Sequence, residues 1–191
     1  MNSLIRNSDG IAGGTEMHSL MIRKVKPGDE AAIEQYRREF SEEPMRATFI
    51  SGRIPGLDDL EQYEKAADWI RSCEKMKGKI SWYLSFRRLD GALVGAACLR
   101  HRLEYDDDDP EFASHIGYSI RPSEQRKGYG KEQLRLILSE ARKIGISPVR
   151  IVCRDINEGS IRVILGCGGV YLDTLHGDES GMDINRYEIR I

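Results

Sequence analysis

Cysteine is sparse and scattered in this sequence. Cys73, Cys98, Cys153 and Cys167 form no CxxC pair, so neither a redox dithiol nor a thiolate metal clamp is written into it. The four histidines, His18, His101, His115 and His176, make no HExxH and lie near no suitably spaced cysteine, which removes the usual zinc patterns. An excess of either charge is missing too. Lys plus Arg number 29 against 31 Asp plus Glu, a net charge of -2, and so balanced a chain lacks the field that a binder of phosphate backbones relies on. Nucleic acid is not an expected partner. The longest apolar run free of charge, Gly91 to Leu99, falls far below the roughly 20 residues that cross a bilayer, so no membrane span is expected. Residues 1–20 do not resemble a secretory leader, because Arg6 is their only Lys or Arg and Gly10, Gly13 and Gly14 interrupt any apolar core. The expectation is a cytoplasmic protein with reduced thiols and no metal.

Patterning then organises what is there. Residues 1–20 show no periodicity and read as a flexible leader before a single domain over 21–191. Met21 to Val25 reads as a strand, and Pro27-Gly28-Asp29 as a turn into a helix that runs to Phe40 with Ile33, Tyr36 and Phe40 on one face. After a Pro- and Gly-containing stretch, Leu60, Tyr63, Ala67 and Ile70 predict a long second helix from Asp58 or Asp59 to Lys77. Ile80 to Phe86 and Leu93 to Leu99 flank an Asp90-Gly91 turn and predict a hairpin. Ala113 to Ile120 is a third strand, followed by a helix over Lys131 to Ile144 that ends at Gly145. Val149 to Cys153, a short helix at Ser160 to Leu165, and strands at Val170 to His176 and Tyr187 to Ile191 close the chain.

The segment richest in chemistry is Ile120 to Lys131. A strand that passes through a glycine turn into a helix brings unpaired N–H groups and the positive helix end to one point. Gly128 and Gly130 allow close approach, and Arg126, Lys127 and Lys131 add positive charge, so a diphosphate is the natural ligand. Two common phosphate loops fail on spacing. No Gly-Lys-Ser/Thr is present, and Gln133 stands where a dinucleotide fingerprint needs a third glycine.

Ile120-x-Pro122-x-x-Gln125-x-x-Gly128-x-Gly130 resembles the signature of the GNAT superfamily of acetyl-CoA-dependent N-acetyltransferases. Asn157-x-x-Ser160 before a short helix, and Gly168 before the last strands, resemble that family's second segment, and the order of elements fits as well. His115 to Pro122 and Gly168-Gly169 are most similar to a bacterial subgroup of acetyltransferases with unassigned substrates. The resemblance implies an α/β (α+β) fold in which helices flank a mixed, mostly antiparallel sheet with a splayed cofactor slot. It also implies that Gln125, Arg126, Lys127, Gly128, Tyr129, Gly130 and Lys131 hold the pyrophosphate of acetyl-CoA or coenzyme A. The Ile120 N–H would bind the thioester carbonyl, and Asn157 and Ser160 would touch the cofactor. The implied partner is a primary amine of a small molecule or peptide, which attacks the thioester directly, and a homodimer is compatible with the family.

The sequence departs from the family where many members carry a tyrosine seven residues after the asparagine as proton donor; here that position is Ile164. Tyr118 and Tyr171 are the substitutes, each also readable as a packed aromatic. For the base, the position aligned with the Glu of some relatives is Ser114, which leaves His115 and Glu111 as candidates. Cys153 raises an acetyl-cysteine route, although no base neighbours it in sequence. The acidic run Asp106 to Asp109 reads as a solvated loop or as an attractor of cationic amines, and Trp82 and Tyr83 as core or as pocket walls. The missing tyrosine also admits a noncatalytic acyl-CoA-binding module.

Overall fold

The structure is a computed structural model that describes residues 19–42, 53–105, 113–176 and 183–191. Its elements run β1 (Leu20–Lys24), α1 (Glu30–Glu42), α2 (Ala66–Lys75), β2 (Ile80–Arg87), β3 (Leu93–Arg100), β4 (Ile116–Ile120), α3 (Tyr129–Lys143), β5 (Val149–Arg154), α4 (Glu158–Leu165), β6 (Val170–Leu175) and β7 (Ile184–Ile189). Leu20 opens β1 one residue before the sequence reading and is fully buried, with its N–H on Glu132 of α3 at 2.8 Å.

The strands form two sheets, ordered β1-β2-β3-β4 and β5-β7-β6, and every pairing is antiparallel. All eight residues of β3 are buried, since helices pack on both of its faces. Its Gly95-Ala96-Ala97 centre keeps those faces thin. On one face the buried Gln133 of α3 donates to the Ala96 carbonyl at 2.7 Å, and a Cβ on Gly95 would collide with the Gln133 side chain. The residue that displaced a dinucleotide fingerprint is thus a core contact. On the other face Gly56, with φ 91, lies so close to the Ala96 carbonyl that a side chain would stand 2.6 Å from it. That fit brings the loop at 54–58 onto the sheet.

Two cores follow. One joins α3 to both sheets through Leu99, Ile116, Leu134, Ile137, Ile151 and Ile189 among others. The other packs α1 and α2 on the first sheet, with Tyr36, Trp69, Leu84 and Cys98 inside. Each large apolar side chain that is fully buried contributes roughly 1.5–3 kcal/mol.

The predicted long second helix is shorter than its pattern. A 3-10 turn at Leu60–Gln62 comes first, Tyr63 and Lys65 are extended, and α2 begins at Ala66 with Trp69 and Ile70 inward. Asp59 at φ 66 breaks the helical path, and Ala67 is not part of the buried face. The last strand begins at Ile184 rather than Tyr187, because its first residues are only half-buried and give a weak apolar signal.

Candidate active site

β4 is the outer strand of the first sheet. The two sheets meet beside its start: the His115 N–H donates to the Arg150 carbonyl at 2.9 Å, the Arg150 N–H to His115 Nδ1 at 2.9 Å, and the Val152 N–H to Ser114 Oγ at 3.4 Å. Beyond that seam, among the described residues, β4 pairs with β3 alone. The Arg121 N–H donates to Val94 of β3, and because amides alternate in direction along a strand, those of Ile120 and Tyr118 face the open side. The sheet is therefore split, closed at one end and lined by free β4 backbone.

At the far end of β4 the chain turns into α3. Gln125 Nε2 donates back to the Ile120 carbonyl at 3.1 Å, Arg126 takes φ 65, and Gly128 precedes the helix with φ 89. Among the described residues no side chain caps α3, and none lies within 4 Å of where a Gly128 side chain would begin. The first-turn amides of Tyr129, Gly130 and Lys131 thus have no side-chain acceptor from the cap, at the positive end of a 15-residue helix. The helix starts two residues earlier than its apolar pattern indicates, which puts Gly130 inside it. A Cβ there would lie 3.2 Å from Val163 of α4, so this glycine also sets the approach of two helices. Lys127 pairs with Glu124 at 2.9 Å, and that contact, with Arg87 at 2.8 Å, holds the Glu124 carboxyl below its ordinary range.

α4 begins differently. Asn157 Oδ1 accepts the Ser160 N–H at 3.0 Å, so the asparagine of the second motif caps its helix. Ser160 Oγ lies 2.9 Å from the Tyr118 hydroxyl, which links β4 to α4 past the seam. Burial pushes the Tyr118 phenol up, so it keeps its proton at neutral pH. Ile164, where the sequence lacks the tyrosine, is fully buried in the α3 core. Burial also pushes the Cys153 thiol up to about 11, which leaves it protonated and a poor nucleophile.

The other candidates separate. The sole lone pair of a neutral His115 ring is engaged by Arg150, and burial together with the Arg150 charge lowers this histidine to about 4. A proton acceptor is thereby replaced by a seam between sheets. Tyr171 lies on β6, an edge of the second sheet, with its hydroxyl 2.7 Å from Thr174 and its ring against Tyr187. Tyr83 is core, its hydroxyl 3.4 Å from Glu140 of α3, whereas Trp82 faces α2. Glu111 and Asp106 to Asp109 lie outside the described residues.

One group has no local signal in the sequence. Asp58, a quarter exposed, accepts from the buried Arg100 at 2.7 Å and from Cys98 Sγ at 2.9 Å, and its Oδ1 lies 3.7 Å from where a Gly117 side chain would begin on β4. Its partners are 40 and 42 residues away in the chain. Among the described residues no group of His, Cys, Asp and Glu is arranged to hold a metal, and no helix is long and apolar enough to cross a membrane.

No curated protein matches this sequence. Among solved structures, the acetyltransferase from Salmonella typhimurium that modifies the N-terminal serine of ribosomal protein L7/L12 has 18% identity and a TM-score of 0.68, over 92% of this chain and 96% of its own. YncA from Salmonella typhimurium, solved with acetyl-CoA, has 18% identity and a TM-score of 0.62 over 90% and 94%. Spermidine N-acetyltransferase from Vibrio cholerae, solved with CoA and spermine, has 15% identity and a TM-score of 0.64 over 90% and 95%. These likenesses establish the fold. The acetyltransferase (GNAT) domain model matches residues 19–170, which span the split sheet and the α3 turn, and by that match the chain belongs to the GNAT acetyltransferase family.

Proposed function

We propose that this protein is an N-acetyltransferase that moves acetyl from acetyl-CoA to a primary amine by direct attack. The observation that carries the reading is the split between β4 and β5, closed at the His115–Arg150 seam and bordered at the other end of β4 by the uncapped start of α3. The amides of Tyr129, Gly130 and Lys131, with Gly128 open before them and Arg126 beside them, suit a pyrophosphate. Gln125 shapes this turn through the Ile120 carbonyl, and Lys127 adds charge at its edge.

Acetyl-CoA supplies the acetyl group as a thioester, whose C–S bond breaks as the amine nitrogen forms its C–N bond. The Ile120 N–H, on the free side of β4, stabilises negative charge on the carbonyl oxygen. The amine attacks unprotonated, the Tyr118–Ser160 hydroxyl pair gives a proton to the departing sulfur and regains one from the nitrogen as the amide forms, and the pair so takes the place of the tyrosine replaced by Ile164. His115 positions β4 against β5 and accepts no proton. Asn157 sets the start of α4 and thereby the place of Ser160.

Thermal unfolding with acetyl-CoA, CoA and NAD tests the donor site, because a ligand that binds only the folded state raises the midpoint. A rise with acetyl-CoA and CoA but not with NAD is expected, and no rise with any of them overturns the reading. Thiol release across an amine panel then separates an enzyme from a module that binds CoA without turnover. Acetylation of at least one amine is the expected result.

A further inference from the structure

We infer that the cleft between α2 and β2 binds the acceptor as an organic ammonium, with Asp58 as its charge partner; this rests on the acetyltransferase reading above. The cleft has a volume of about 270 Å³, and its walls include Asp58, Asp59, Tyr63, Trp69, Lys75 and Trp82. Aromatic faces beside carboxylates suit a primary ammonium, since the ring quadrupole and the negative charge attract it together. Asp58 and Asp59 are the acids of these walls and the exposed Lys75 their base, and Arg100 behind the walls pairs with Asp58 at 2.7 Å.

The protein holds this site in place. The Trp69 indole donates to the Asp58 carbonyl at 2.8 Å, and Trp69 meets Trp82 edge to face at 6.1 Å. Arg100 and Cys98 fix one oxygen of the Asp58 carboxylate, which has further lone-pair sites for an ammonium. Trp82 is more than nine-tenths buried, and its Nε1–H has no acceptor among the described residues. Position connects the cleft to the reaction. The same Asp58 carboxylate borders Gly117 of β4, the neighbour of Tyr118, so an amine held by Asp58 is beside the strand that faces the donor slot.

Trp69 and Trp82 are the only tryptophans in the chain, so intrinsic fluorescence reports on this cleft directly. The full chain is titrated with 5-amino-1-pentanol, an ammonium that carries a hydroxyl, and with 1,5-pentanediol as its neutral counterpart. A saturable fluorescence change with the aminoalcohol and none with the diol is expected. Asp58→Asn is expected to raise the half-saturation concentration roughly tenfold, about 1.4 kcal/mol. Because that change also disturbs the buried Arg100, Tyr63→Leu, which removes an aromatic face and no charge, is measured beside it and is expected to weaken binding severalfold. Absence of a saturable change, an equal response to the diol, or an unaltered midpoint in both variants overturns the inference. A midpoint rise with CoA but no fluorescence response to the amine discards this acceptor site alone. An amine response without any CoA effect keeps the ammonium site and discards the acetyltransferase reading.

Discussion

The imidazole of His115 is turned to the Arg150 N–H through Nδ1, so its proton resides on Nε2 and the ring has no free lone pair. Desolvation lowers its pKa to about 4, whereas in the unfolded chain the histidine titrates near 6.5. Between those values the unfolded state binds more protons, so this group's stabilisation is complete above pH 6.5 and is lost as pH falls to about 4. Urea unfolding at a series of pH values is expected to show that slope, and His115→Ala is expected to flatten it while costing about 1 kcal/mol at neutral pH. Its turnover is expected to keep any pH limb near neutrality. In the proposed reaction Tyr118 has the opposite role. Tyr118→Phe removes the hydroxyl 2.9 Å from Ser160, and kcat is expected to fall about a hundredfold with CoA affinity little changed. Single-turnover and equilibrium binding measurements separate the two effects. The residue types at 115 and 118 were visible in the sequence as candidates. Which of them kept a usable proton was not, because burial and the partner across the seam decide it.

At the scale of elements, two helix starts divide the work. α4 is capped by Asn157, whereas α3 begins at a glycine that gives its first-turn amides no side-chain acceptor. Asn157→Ala is expected to lower stability by about 1 kcal/mol, read from the thermal midpoint. Gly128→Val forces a branched side chain to φ 89, with an expected cost of roughly 1–2 kcal/mol and weaker CoA binding by calorimetry. Unchanged CoA affinity in that variant removes the pyrophosphate from this turn. The hairpin at Asp90-Gly91 and the amphipathic run of α3 follow from local chemistry, with the helix read two residues short at its start. The stretch from Leu60 to Lys77 has a helical period but does not follow it, since Asp59 is left-handed and Tyr63 and Lys65 are extended, so that only a 3-10 turn forms before α2.

Over the whole molecule, α3 is the shared support of both sheets. Ile137 is fully buried in a core that holds Leu99 and Ile116 from the first sheet and Ile151 and Ile189 from the second. Ile137→Ala is expected to cost about 2–5 kcal/mol, and near- and far-ultraviolet melts are expected to coincide because neither sheet has a separate α3 core. The sequence by itself determined the strand and helix order, the glycine turn into α3 and the resemblance to acetyltransferases, because each rests on residues close together along the chain. Tertiary structure decided that His115 is a seam, that Tyr118 meets Ser160 across 42 residues, and that Asp58 meets Arg100 and the cleft walls. Those outcomes depend on burial and on approach between distant segments, which no local pattern of residue types encodes.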